Sequence, residues 1–228
     1  MSVTPISKAL AAHGLILRGG FQPAEEDVLP ELAGGRPART LLLVGNAGPA
    51  MWEAFAEAPE SQDGAPHPLN RWTRRVIEAV AAELGALALF PFEADPAWPF
   101  QRWALWAEPV FRSPLGILIH PEFGLWHAYR AALLLAEPLN LVPPRRAESP
   151  CEACAEKPCL SACPVGAFRP EGYDVPACLN HIEGSAGQDC LDLGCRARRA
   201  CPVGADWRYD PAQAGFHMRA FLRAARGR

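Results

Sequence analysis

The chain has 228 residues, half of them apolar and 21% charged, with a net charge of −3. That length suits one ordinary domain plus a small second one, and the charge balance argues against a nucleic-acid binder driven by bulk charge. No apolar run reaches the roughly 18 residues of a membrane span, and the N-terminus lacks the basic start, apolar stretch and cleavage site of a signal peptide, so the expectation is a soluble, cytoplasmic protein with no membrane partner.

The first predicted element is a buried strand at residues 40–44, Thr-Leu-Leu-Leu-Val. Gly45 to Gly48 read as a turn, and Pro49 suits the first position of a following helix. Glycine-rich turns before helices can cradle phosphate. This one has neither a full G-x-G-x-x-G nor a Lys-Ser/Thr, so a plain strand–helix turn is the favoured reading. Between residues 70 and 84 the spacing predicts an amphipathic helix: Trp72, Val76, Ile77, Val80 and Leu84 share a face, with Arg71, Arg74 and Arg75 on the other side. Residues 86–90 form another strand. Pro91, Pro96 and Pro99 then prevent regular structure before about residue 100. The aromatic residues of this stretch, Phe92, Trp98, Phe100 and Trp103, read either as a wall for a flat ligand or as a satellite core under a long loop.

From Gly116 to Leu135, two apolar runs flank His120-Pro121-Glu122-Phe123-Gly124, and the pattern predicts a β-hairpin. In its second strand Trp126, Ala128 and Arg130 face one side, and His127 and Tyr129 the other. This stretch resembles the CblC-type cobalamin-processing family, which carries an I-H-P-x-F-G-x-W signature followed by an alternating strand and an arginine. Ile119, His120, Pro121, Phe123, Gly124, Trp126 and Arg130 match it, and the resemblance spans roughly residues 40–145. It implies an α+β fold with a flavin-reductase/nitroreductase-like antiparallel sheet and flanking helices. It also implies a base-off cobalamin site, a reductive removal of the upper ligand, and FMN as an alternative occupant. The family's glutathione-binding arginines do not map onto this chain. Candidate cofactor contacts are His120, Phe123, Gly124, Trp126, His127, Tyr129, Arg130, Phe100 and Trp103. For the histidines a structural role is the competing reading, for Trp126 and Tyr129 core packing, and for Arg130 an ion pair. A D-x-H-x-x-G cobalt-ligating signature is absent, in keeping with a base-off site.

All eight cysteines lie between Cys151 and Cys201. Without a secretion signal, such density reads as metal binding rather than as a disulfide scaffold. The first group is Cys151-x2-Cys154-x4-Cys159-x3-Cys163-Pro164, and the second is Cys178-x11-Cys190-x4-Cys195-x5-Cys201-Pro202. Both end in Cys-Pro-Val-Gly-Ala, so the unit is duplicated. The spacing approaches the C-x2-C-x2-C-x3-C-P run of two-cluster ferredoxins, in which the last cysteine of each run serves the other cluster. On that pattern Cys151, Cys154, Cys159 and Cys201 hold one 4Fe–4S cluster, and Cys163, Cys178, Cys190 and Cys195 a second. The alternative is two structural zinc sites. The segment from Cys178 to Glu183 and the cysteines after it also resemble the ferredoxin portion of epoxyqueuosine reductases and reductive dehalogenases. Those enzymes join a corrinoid-binding domain to two 4Fe–4S clusters.

Together these readings predict a cobalamin-binding domain at 1–147 and a ferredoxin-like two-cluster domain at 148–228. The implied function is reduction of the cobalt of a corrinoid, or reductive loss of its upper ligand, with electrons passing through the clusters. The alternatives are an epoxyqueuosine-reductase-like enzyme and a carrier or cobalamin chaperone without turnover. Arg196, Arg198, Arg199, Arg219, Arg223 and Arg226 are candidates to dock an acidic ferredoxin or flavodoxin, against a solvated helix face.

Overall fold

The computed structural model describes residues 3–24, 26–144 and 147–227. The chain divides into two compact units, Met1–Pro109 with His127–Arg146, and Val110–Trp126 with Ala147–Arg228. Residues 110–126, which hold the His120–Gly124 turn, therefore group with the cysteine-bearing half.

In chain order the first unit opens with helix α1 (Val3–Ala11), which buries Ile6 and Leu10, one turn apart. Strands β1 (Ile16–Phe21) and β2 (Thr40–Ala47) follow. Every residue of β2 is buried, as its unbroken apolar run requires. The strand extends three residues beyond the expected end, so Gly45, Asn46 and Ala47 are strand rather than turn. The turn shrinks to Gly48 and Pro49, and Pro49 caps α2 (Ala50–Ala56). A short α3 (Pro59–Gln62) leads to α4 (Pro68–Leu84). In α4, Trp72, Val76, Ile77 and Val80 are buried at the expected spacing, Pro68 sits in the first turn, and Gly85 ends the helix in the left-handed region at φ 60°. After β3 (Leu87–Leu89), α5 (Phe100–Ala107) starts where the prolines stop.

Strands β4 (Phe111–Arg112) and β5 (Leu118–Ile119) belong to the second unit and, among the described residues, pair only with each other. Strand β6 (His127–Leu135) returns to the first. Its four-stranded antiparallel sheet runs β1-β2-β6-β3. The expected hairpin is thus corrected. The turn exists, closed by His120 N–H to Gly124 O and Gly124 N–H to His120 O, both 2.9 Å. Its two flanking runs do not pair with each other: Ile119 pairs with Phe111, and β6 lies between β2 and β3. Alternation marks a strand but leaves its partner open.

The remaining elements complete the second unit. They are α6 (Pro150–Ala153), α7 (Pro158–Ser161), β7 (Phe168–Arg169), β8 (Gly172–Tyr173), α8 (Val175–Glu183), α9 (Gln188–Leu193), α10 (Arg196–Arg199) and α11 (Pro211–Arg226). Asp174 caps α8 by accepting from Ala177 N–H at 3.0 Å. One core of this unit joins Leu115, Ile119 and Leu125 to Cys159, Ala197 and Cys201, so the 110–126 segment supplies apolar cover for the cysteine loops. Among the described residues no helix is long and apolar enough to cross a membrane.

Candidate functional site

The C-P-V-G endings of the two cysteine runs share one backbone device: Gly166 has φ +55° and Gly204 φ +74°. A left-handed residue there lets the chain reverse directly after the cysteine. At Gly204 a Cβ would lie 2.4 Å from the Phe123 carbonyl, and at Gly124 one would lie 2.0 Å from the Val203 carbonyl oxygen. The two turns therefore meet backbone to backbone, and neither tolerates a side chain.

The thiols gather in two sets. Cys163, Cys178, Cys190 and Cys195 line one small cavity together with Phe168, His181 and Met218. Around Cys151 the neighbouring thiols that act on its titration are Cys201, Cys159 and Cys154. Cys163 thus lies with the second run and Cys201 with the first. All eight are free thiols. Burial pushes the Cys195 and Cys178 thiols up, and the neighbouring sulfurs push them further. Cys151 and Cys159 are raised for the same two reasons.

Hydrogen bonds work in the opposite sense, because they favour thiolate. Ala167 N–H donates to Cys163 Sγ at 3.3 Å, the Tyr173 hydroxyl donates to Cys178, and the backbone at Arg198 and Ala197 donates to Cys195. Three of the four sulfurs of the second set have donors aimed at them, and the set suits a bound cationic centre, which would neutralise its mutual repulsion. The donor chemistry therefore fits two four-thiolate centres. Among the described residues no three His, Cys, Asp or Glu side chains converge on a position for a single metal ion.

The first unit contains a buried polar cluster. Arg18 is 1% and Glu108 8% exposed. They form a two-pronged ion pair, Nε to Oε2 at 3.0 Å and NH2 to Oε1 at 2.6 Å. Arg18 also reaches His127 Nδ1 at 3.1 Å and the Asn46 carbonyl at 3.3 Å. The Tyr129 hydroxyl donates to Glu108 Oε1, and the Arg18 guanidinium lies 4.9 Å from the Tyr129 ring centroid. Burial raises the Glu108 carboxyl above the usual carboxylate range, with Arg18 pulling it back. Tyr129 is raised as well, by burial and then by the Glu108 charge. Arg130 Nε donates to Asn46 Oδ1 at 3.4 Å. Local backbone makes room for this cluster. The β2–β6 register shifts between Val44 and Gly45, and a Cβ on Gly45 would lie 2.1 Å from the Ala128 carbonyl oxygen.

Of the residues predicted from sequence, His127, Tyr129 and Arg130 come together in this cluster, on the half-buried start of β6. His120, Phe123, Gly124 and Trp126 belong to the second unit. His120 Nδ1 accepts the N–H groups of Glu122 and Phe123 at 3.1 and 3.2 Å, and its ring stacks on Phe123 at 4.2 Å. That is a turn-stabilising arrangement. Trp126 is 1% exposed, edge-on to Tyr209 at 5.5 Å and beneath the Arg198 guanidinium at 4.5 Å. Phe100 and Trp103 go into the core of the first unit, so for these two rings the structure takes the satellite-core alternative. An open groove of about 590 Å³ does exist in that unit, lined by Phe21, Gln22, Trp106, Leu139 and Val142 among others. None of the predicted ligand residues lines it.

The C-terminal basic residues are largely engaged. Arg196 and Arg199 pair with Asp189, Arg219 with Asp192, and Arg226 with Glu183. Sequence reading missed Arg18 and Glu108. The available signal was a lone charge inside the apolar strand Ile16-Leu17-Arg18. It also passed over Tyr173 and His181, which stand beside cysteines without belonging to the cysteine pattern.

No protein-family model matches the chain, and no curated protein does. Solved structures do. The fold is similar to epoxyqueuosine reductase from Bacillus subtilis, with 16% identity and a TM-score of 0.51 over 92% of this chain and 68% of that one. It is likewise similar to an epoxyqueuosine reductase solved with a modified tRNA-Tyr stem loop, with 16% identity and a TM-score of 0.51 over 93% of this chain and 71% of that one. A C. elegans B12-trafficking protein, CblC, aligns at a TM-score of 0.46 and 15% identity over 94% of this chain and 89% of that one. At these identities the epoxyqueuosine reductase likeness is one of fold: a mixed α+β chain with a small antiparallel sheet and flanking helices.

Proposed function

We propose that this protein is an iron–sulfur oxidoreductase that binds a base-off corrinoid and reduces its cobalt or reductively removes its upper ligand. The observation that carries the proposal is the gathering of all eight cysteines into two four-thiol sets, Cys151, Cys154, Cys159 and Cys201, and Cys163, Cys178, Cys190 and Cys195. These sets would hold two 4Fe–4S clusters in a bacterial ferredoxin-like domain, and such clusters supply single electrons. The epoxyqueuosine reductase fold extends over 93% of the chain and so takes in both units.

In the first unit we assign the corrinoid's polar periphery to His127, Tyr129 and Arg130. Glu108 and Arg18 fix the orientation of the Tyr129 hydroxyl, and Asn46 that of the Arg130 guanidinium. The buried Glu108 also gives Tyr129 a proton acceptor away from bulk water. The proposed electron donor is a ferredoxin or flavodoxin. FMN in the first unit is the alternative intermediary, and a yellow colour remaining after cluster removal would reveal it.

Anaerobic titration with hydroxocobalamin tests the binding step. A base-off optical spectrum and co-migration with the protein are expected, and unchanged spectra without co-migration would end the corrinoid reading. Zinc on metal analysis, with no broad visible absorbance, would replace the clusters by structural zinc sites. A second reading, reduction of a modified nucleoside in tRNA, draws on the neighbour solved with a tRNA stem loop, so nucleic acid stays among the ligands to be assayed. Retarded migration of an epoxyqueuosine-containing stem loop, with turnover, would favour it.

A further inference from the structure

His181 stands on the last turn of α8, one helical turn after Cys178. It lines the cavity shared by Cys163, Cys178, Cys190 and Cys195. Its Nε2 is buried without a hydrogen-bond partner among the described residues. An unmade hydrogen bond on a buried polar atom is costly, so such an atom calls for an explanation.

The backbone holds this part of α8 in place. Gly184 and Gly187 N–H groups close the following turns, Gly184 onto the His181 carbonyl at 3.2 Å. A Cβ on Gly187 would lie 2.1 Å from that carbonyl oxygen and 2.6 Å from Ile182 Cα. Only glycine lets the returning chain approach the helix end so closely, and this approach fixes the position from which the imidazole reaches the cavity. Three of the four cavity thiols already accept bonds from elsewhere: Cys163 from Ala167, Cys178 from Tyr173, and Cys195 from the backbone at Ala197 and Arg198.

We propose that His181 donates an Nε2–H hydrogen bond to the 4Fe–4S cluster held by Cys163, Cys178, Cys190 and Cys195, and thereby raises that cluster's reduction potential relative to its partner. The inference rests on the cluster reading above. A cluster with four thiolate ligands is anionic, so it favours an imidazole whose Nε2 presents N–H rather than a lone pair. Reduction adds one more negative charge, and the hydrogen bond strengthens with it. Hydrogen bonds to cluster sulfur are one of the means by which a protein sets cluster potential.

The test is an EPR-monitored redox titration of the full-length, anaerobically reconstituted protein beside His181→Leu and His181→Gln. In His181→Leu one transition is expected to move to lower potential while the other stays in place. In His181→Gln, whose amide is also a donor, the shift is expected to be smaller. A second measurement does not depend on how well the variants fold. Wild-type protein grown with heavy-nitrogen histidine should show a coupling from imidazole nitrogen to one reduced cluster in electron spin-echo spectra. Clusters present with both transitions unmoved in His181→Leu, or with no such coupling in wild type, would overturn the inference alone. Wild-type protein without any cluster signal would overturn the cluster reading and this inference with it.

Discussion

Arg18 places a guanidinium where β1 would ordinarily carry an apolar side chain, and Glu108 is what makes this tolerable. The pair is almost wholly withdrawn from solvent, so its desolvation cost is large and is offset only while both partners are present. Glu108→Ala is therefore expected to destabilise the protein by about 3–5 kcal/mol, because it leaves a buried charge without its carboxylate. The double variant Arg18→Met/Glu108→Leu should recover much of that loss. Urea unfolding at constant m-value measures both, and a Glu108→Ala loss below about 1 kcal/mol would show that the pair is solvated. The partners are 90 residues apart in sequence, and no local pattern announces such a pair. The cysteines differ in this respect. Their chemistry is carried by residue type and short spacing, and both are visible in the sequence.

Among the elements, α4 was the most legible, because fifteen or so residues of 3.6-residue periodicity leave few alternatives. Strand β1 was not legible. Gly19 and Gly20 interrupt its pattern, and a Cβ on Gly19 would lie 2.1 Å from the Ala107 carbonyl oxygen, a constraint set by α5 rather than by neighbours in sequence. The 116–135 stretch was half legible. Its turn was readable from His120, Pro121 and Gly124, but its strand partners depend on tertiary packing. At that turn Gly124→Ala must strain a residue at φ +57° and collide with the Val203 carbonyl. A loss of at least about 1–3 kcal/mol is expected, read as a lower thermal midpoint. The companion Gly204→Ala should behave alike, since its Cβ meets Phe123.

The clamp between α3 and α4 gives a pH dependence. Arg75 holds both carboxylate oxygens of Glu60, at 2.5 and 2.9 Å, and this pairing keeps the Glu60 carboxyl below its ordinary value of 4.5. The support it gives is present above the unfolded pKa and is lost as the pH falls through the lower folded one. Glu60→Gln should flatten the acid side of the stability–pH curve below about pH 4.3 and leave its slope at neutral pH unchanged. An acid limb identical to that of wild type would show that the Glu60–Arg75 pair does not set acid stability.

At the scale of the whole molecule, the function proposed here depends on how the duplicated cysteine runs exchange members. If Cys201 serves the set with Cys151, Cys154 and Cys159, then Cys201→Ser should lower iron from about eight to about four atoms per chain and remove one of two reduced-cluster EPR signals. Cys163→Ser should remove the other. Loss of the same signal from both variants would place the two cysteines on one centre. The crossing also links distant parts of the second unit, since Cys201 lies 50 residues after Cys151, so cluster binding and folding of that unit should be coupled.

The proposed function joins clusters to a corrinoid in one chain, and a single low-temperature EPR experiment addresses both. Anaerobically purified protein is mixed with cob(II)alamin and then reduced stepwise. The expected result is a cob(II)alamin signal without the nitrogen splitting of its lower base, two reduced 4Fe–4S signals, and loss of the cobalt signal as reduction proceeds. A spectrum with no cluster signals, or with cob(II)alamin still carrying its lower base, would contradict it.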